Sequence, residues 1–192
     1  MRLANALIII AWTIFFAFWI WKWRESKATR RHHNRAAYAA YMVPTILGVF
    51  LIEFGWRKAA PATPLGIGLW RPSLFSQWGA LAIVYAGLAI ALSARVALAA
   101  NWSAQVVVKE GHELTTSGPY AWVRHPIYTG MLLMFLGSAL AVGTGAAFLG
   151  LALVTVGFII KLRQEEALMR DQFAGAYLDY ERRVKRLIPF IW

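Results

Sequence analysis

The sequence predicts an all-α, polytopic integral membrane protein: about five transmembrane helices, with a C-terminal helical hairpin and a cytoplasmic amphipathic helix. Three observations predict it. The 192 residues are 59% hydrophobic with a mean hydropathy of +0.52, more apolar than soluble domains ordinarily are. Apolar stretches long enough to cross a hydrocarbon core alternate with polar connectors. The 20 Lys and Arg, set against 9 Asp and Glu, gather mainly in those connectors, as juxtamembrane charges do, so the basic excess does not mark a nucleic-acid partner. The length fits one structural domain. With no cysteine there is no disulfide, no thiolate nucleophile and no cysteine-based metal site.

The first stretch, Leu3 to Trp23, reaches roughly 31 Å at about 1.5 Å per residue, enough for a core of about 30 Å. It exceeds a signal-peptide core, has only Arg2 before it and is followed by basic residues rather than a cleavage site, so it reads as a retained span. The connector Arg24 to Arg35 holds His32 and His33, whose side chains diverge by about 100° on a helix and do not suit a shared metal. Ala36 to Trp56 is the second span, with Pro44 inside it. Its Glu53 lies close enough to an interface to snorkel or pair with Arg57 or Lys58. Arg57 to Ser73 carries three prolines and reads as an irregular loop. Leu74 to Ala100 is the third span, rich in the small residues that let helices approach closely in lipid.

Asn101 to Val123 is a polar loop, long for a compact chain and therefore a functional candidate. Pro126 to Val142 is the fourth span, Gly143 to Gly145 the turn, and Ala146 to Ile160 the fifth. Gln164 to Val184 reads as a separate polar helix along the membrane surface, and Arg182 to Arg186 with the tail Leu187 to Trp192 favours anionic headgroups.

The stretch Ser117 to Gly130, SGPYAWVRHPIYTG, leads from that loop into an apolar helix. Pro126 suits the first helical turn, where its missing N–H costs nothing, and the free N–H groups beside Arg124 and His125 suit an anion. An aromatic belt of Tyr120, Trp122 and Tyr128 with a snorkelling Arg accounts for the same residues structurally. A second polar cluster, Lys161, Arg163, Gln164, Glu165 and Glu166, ends the fifth span. A hairpin brings both clusters to one membrane face. With Arg2, Arg57, Lys58 and Arg71 on the opposite face and the other 16 of the 20 basic residues on this one, the positive-inside rule puts the clusters in the cytoplasm.

From Asn101 to Ile191 the ordered set Gln105, His112 with Leu114, SGPYAWVRHPIY, Glu165-Glu166, YLDYERRV and LIPFI resembles the isoprenylcysteine carboxyl methyltransferase family. That family is grouped with phospholipid N-methyltransferases among integral-membrane methyltransferases. The resemblance implies S-adenosyl-L-methionine as methyl donor, contacted by Gln105, His112, Glu113, Leu114, Thr115, Tyr120, His125, Pro126, Ile127, Tyr128 and Glu165. It divides the chain into an N-terminal three-helix membrane region, 1–100, and a cofactor-binding catalytic region, 101–192. Lys161 stands where the family's carboxyl methyltransferases have a substrate-binding Arg, and with Arg124 it is the expected contact for the acceptor. Lys lacks the planar fork that grips a carboxylate through two parallel bonds.

The reaction so implied is carboxyl O-methylation of an isoprenylcysteine-like acceptor, a lipid or a lipidated small molecule or peptide. It would take place in a bacterial or archaeal inner membrane, with no nucleic-acid partner and no metal. Methyl transfer from a sulfonium asks mainly for alignment and exclusion of water. A carboxylate acceptor needs no general base, and no residue is assigned as acid or base. Phospholipid N-methylation, a nicotinamide-dependent membrane reductase of the sterol-reductase type and a non-catalytic scaffold are the other readings.

Overall fold

The computed structural model describes residues 2–23, 35–58, 65–66, 68–70, 73–99 and 114–192. Five helices account for most of them: α1 Arg2–Trp23, α2 Arg35–Lys58, α3 Leu74–Leu98, α4 Pro126–Val142 and α5 Gly145–Arg183. A short 3-10 turn, Gly118–Ala121, precedes α4. Among the described residues four helices are long and apolar enough to cross a membrane, and α4 is a shorter apolar helix. The all-helical membrane architecture is therefore as expected, and the predicted bounds of α4 match.

Local chemistry explains the helix ends. Ser73 caps α3 by accepting from the Ser76 N–H at 3.1 Å, while the Ser76 hydroxyl accepts from the Ser73 N–H at 2.9 Å, a reciprocal capping box. Pro126 opens α4 at a position where no backbone donor is needed. Gly143 closes it in the left-handed region, φ 70°, which a residue without Cβ enters freely. Thr144 then caps α5.

Helices α3 and α4 form one closely packed pair, α2 and α5 the other. The second pair depends on glycine. A Cβ at Gly48 would lie 2.5 Å from the Gly150 carbonyl oxygen, so only hydrogen lets those backbones approach this closely. Polar ties hold the remaining contacts. Trp12 of α1 donates to the Ser138 hydroxyl of α4 at 3.1 Å, and the buried Arg95 of α3 donates to the Lys22 carbonyl of α1 at 2.7 Å. At the opposite end of the bundle, Leu69 N–H bonds to the Gly143 carbonyl and Ala146 N–H to the Leu65 carbonyl, so Leu65 and Leu69 sit on the α4–α5 turn.

One expectation is corrected. The fifth span and the polar helix after it are one continuous helix, α5, broken only at Ala174, where φ is 41° and ψ −120°. No proline or glycine lies between Phe158 and Ala174, and the residues there (Lys, Leu, Arg, Gln, Glu, Ala, Met) are strong helix formers, so the change from apolar to polar does not interrupt the backbone. Lys161 to Glu166 lie roughly 24 to 32 Å along α5, near the edge of a hydrocarbon core. Beyond Ala174 the chain packs against the 3-10 turn, where Tyr180 donates to the Tyr120 carbonyl at 2.6 Å.

Candidate functional site

The α4–α5 hairpin brings Tyr128, on the first turn of α4, against Glu165 on the polar extension of α5. The Tyr128 hydroxyl donates to Glu165 Oε1 at 2.6 Å. Lys161, one turn earlier on α5, places its Nζ 3.9 Å from the same oxygen. That ammonium also lies over two aromatic faces, 5.3 Å from the Tyr41 ring and 5.6 Å from the Tyr128 ring, a cation–π arrangement. Tyr41 comes from α2 and is buried, so the N-terminal half supplies a wall of the site. Glu165 keeps 23% of its side chain exposed and Lys161 14%. Both side chains are partly exposed.

His125 sits between the two consecutive carboxylates. Its Nδ1 is 3.7 Å from Glu165 Oε2 and its Nε2 is 3.2 Å from Glu166 Oε1. Glu165 and Glu166 thus have different surroundings. Glu166 is 1% exposed and is the centre of a charged cluster: Arg124 Nη2 approaches its Oε1 at 2.7 Å, Arg186 Nη2 its Oε2 at 2.7 Å and Arg170 Nη2 its Oε2 at 3.6 Å. Burial works against the charged form of this carboxyl, but hydrogen bonds from His125, Arg186 and Arg124 outweigh it and hold the group well below the usual carboxylate range. Glu181 is held below that range too, chiefly by its hydrogen bond from Arg170.

Arg124, expected on the acceptor, is instead saturated within the protein. Its Nε and Nη2 donate to Glu166 Oε1, Nη2 also to Glu181 Oε1, and Nη1 to the Glu181 and Val184 carbonyls. A guanidinium has five N–H donors, and these five bonds leave none for a ligand.

The other expected residues separate by position. Pro126 starts α4, and helix geometry leaves the Ile127 and Tyr128 N–H groups without intrahelical acceptors. Tyr120 is buried on the 3-10 turn, and burial, with the charge of Glu165 adding, pushes its phenol above the ordinary value. Leu114 and Thr115 begin the segment leading to that turn. Gln105, His112 and Glu113, like His32 and His33, lie outside the described residues. Among the described residues no group of three His, Cys, Asp or Glu side chains is placed to hold a metal ion.

Tyr41, Arg170 and Glu181 were not singled out from sequence as site residues; Glu166 was read only as a member of the second polar cluster and of the Glu165-Glu166 motif, and Arg186 only as part of the basic run favouring anionic headgroups. Only the motif YLDYERRV carried a signal for Glu181, and the run after it for Arg186. Their partners lie up to 120 residues away, as Tyr41 and Lys161 show.

Fold and site together define a helical integral-membrane protein with a charged, aromatic-walled recess at one end of a packed hairpin. A family model described as phospholipid methyltransferase matches residues 75–176, more than half of the chain, and the chain belongs to that family. Among its relatives is the protein-S-isoprenylcysteine O-methyltransferase of Mus musculus, 35% identical over 92 residues, covering 47% of this chain and 32% of the relative. The enzyme of the same name from Schizosaccharomyces pombe is 33% identical over 118 residues, covering 60% and 50%. Methanethiol S-methyltransferase 2 of Bradyrhizobium diazoefficiens is 26% identical over 163 residues, covering 79% and 59%. These relatives bear out the resemblance read from the sequence. The chain spans less than two thirds of the length of each.

Proposed function

We propose that this protein is an S-adenosyl-L-methionine-dependent methyltransferase of the membrane that methylates the carboxylate of an isoprenylcysteine-like lipidated acceptor. The observation that carries this reading is the Tyr41–Tyr128–Glu165 recess with Lys161 seated in it, inside the stretch the family model matches apart from Tyr41.

The residues fit the donor. The Tyr128 ring beside the Glu165 carboxylate suits a sulfonium. The Glu165 carboxylate also suits a ribose diol, and the opening turn of α4 at Pro126, Ile127 and Tyr128 suits the donor's carboxylate, with His125 beside it. Thr115, Leu114, Glu113, His112, Gln105 and Tyr120 complete the expected contacts. When bound, adenosylmethionine supplies an electrophilic methyl group on its sulfonium. The chain's own task is then alignment and exclusion of water. Tyr128 fixes the Glu165 carboxylate through its hydrogen bond, and its ring packs on Phe158 with centroids 5.1 Å apart, which gives the site an apolar inner wall.

Lys161 is the residue to orient an anionic acceptor, as a point charge rather than a fork. The acceptor's hydrocarbon chain would stay in the bilayer while its polar end meets the recess at the core edge. We read the recess as facing the cytoplasm of a bacterial or archaeal inner membrane, from the distribution of basic residues. Region 101–192 supplies the donor contacts, and region 1–100 contributes support and the Tyr41 wall.

The test is transfer of a labelled methyl group by purified protein to a farnesylated cysteine, an ethanolamine phospholipid and a small thiol. Label released from the farnesylated product by mild base, as a methyl ester is, supports the proposal. Transfer to the amine or the thiol instead, or to none of the three, overturns the carboxyl reading.

A further inference from the structure

A closed chain of hydrogen bonds links His125, Arg186 and Glu166. The His125 backbone N–H donates to the Arg186 carbonyl at 3.0 Å. The Arg186 side chain then reaches Glu166 by Nε, at 3.0 Å to Oε1 and 2.9 Å to Oε2, and by Nη2, at 2.7 Å to Oε2. Glu166 Oε1 in turn meets His125 Nε2 at 3.2 Å. One residue thereby holds both the backbone of His125 and the carboxylate that its ring faces.

The segment carrying Arg186 is itself docked on the start of α4. Val123 and Lys185 form a parallel bridge, Arg124 N–H donates to the Lys185 carbonyl at 2.7 Å, and the Thr129 hydroxyl donates to the Leu187 carbonyl at 2.8 Å. An ionised carboxylate can only accept hydrogen bonds, so the imidazole atom facing Glu166 must carry a proton. That places the proton of a neutral His125 on Nε2. Nδ1, 3.7 Å from Glu165, is then the ring atom turned toward the recess.

We infer that Arg186 is a positioning residue. By clamping Glu166 and the His125 backbone together, it fixes the orientation and the Nε2–H tautomer of His125, and so the face that the recess offers to a bound methyl donor. This inference rests on the proposed function for its ligand but not for its geometry. A guanidinium grips a carboxylate through two parallel bonds that also set the plane of the group, which a single ammonium does not do. Nothing about Arg186 requires it to touch donor or acceptor. Partners that orient a functional histidine through its other ring atom act in the same way at metal centres.

The test uses full-length protein in detergent micelles carrying ¹⁵N-labelled histidine, with the His125 signals assigned by their loss in His125→Gln. The variants are Arg186→Ala, Arg186→Lys and, as a control for nearby charge, Arg183→Ala, whose exposed side chain bonds only to the Asp179 carbonyl among the contacts described. The wild type should show the Nε2–H pattern. Arg186→Ala should shift it toward a mixture of tautomers and lower adenosylmethionine affinity at least tenfold in calorimetry, Arg186→Lys should lie between, and Arg183→Ala should change neither.

Unchanged His125 signals in folded Arg186→Ala or Arg186→Lys overturn the inference, and so does an equal change in Arg183→Ala. If Arg186→Ala does not fold, Arg186→Lys decides the same question. A wild type that binds no adenosylmethionine overturns the proposed function, while the His125 signals still decide the role of Arg186.

Discussion

Tyr128 and Glu165, on facing helices of one hairpin, share a 2.6 Å hydrogen bond whose acceptor oxygen also faces the ammonium of Lys161. The bond joins the opening turn of α4 to the polar extension of α5, and both residues are expected donor contacts. Tyr128→Phe keeps the ring and removes the bond. Adenosylmethionine affinity should fall by about 1.5 to 3 kcal/mol, the range for a hydrogen bond to a charged group, with little change in thermal stability. Calorimetry on the variant measures the first and a melting curve the second.

Glu166 plays a different part from its neighbour. Its carboxylate is 1% exposed and faces three arginines, so Glu166→Gln leaves buried positive charge without its partner. A loss of about 3 kcal/mol or more of stability is expected, since removing one member of a buried pair is costly. Denaturation in detergent gives the value. The same residue predicts a pH dependence. A carboxyl held in the folded state below its ordinary 4.5 contributes stability that is fully present above that pH and is lost as pH falls toward the folded value. The wild type should therefore lose stability on acidification below about pH 5, and Glu166→Gln should show a flatter acid limb.

Lys161 and Tyr41 test the acceptor side. Lys161→Ala should leave donor affinity nearly intact while raising the acceptor's KM or lowering turnover. Lys161→Arg should retain or improve activity with a carboxylate acceptor, which the planar fork matches. Tyr41→Leu removes one aromatic face from the ammonium and should raise the acceptor KM by a few-fold, as expected of a cation–π contact worth about 0.5 to 1 kcal/mol. Steady-state kinetics on the three variants separates these outcomes.

Orientation can be checked independently of activity. Reporter fusions at Arg30 and Ala176 should read cytoplasmic, and a fusion at Pro64 should not. A cytoplasmic signal at Pro64 would put the recess on the other side of the membrane.

The elements were largely legible in the sequence because helix ends have local causes. Pro126 and the Gly143–Thr144 pair mark the bounds of α4, and the apolar runs mark α1 to α3. The continuity of α5 was not read, because a change of polarity at Lys161 looks like a boundary although nothing there stops a helix. The hairpin logic correctly predicted that the two polar clusters would share one end of the bundle. It could not assign the two glutamates. Consecutive residues on a helix differ by about 100°, and only packing decides that Glu166 turns into the arginine cluster while Glu165 faces the recess. Tyr41 was equally hidden. An aromatic in a membrane helix reads as a belt residue until the close approach of α2 and α5 at Gly48 and Gly150 brings it over Lys161.

The most direct measurement of the central claim is calorimetric titration of purified wild type and Glu165→Gln with adenosylmethionine and, separately, with NADPH. The wild type should bind adenosylmethionine and show no comparable affinity for NADPH, and Glu165→Gln should weaken donor binding by about 1.5 to 3 kcal/mol. Preference for NADPH, or donor binding that is indifferent to Glu165→Gln, would contradict the account.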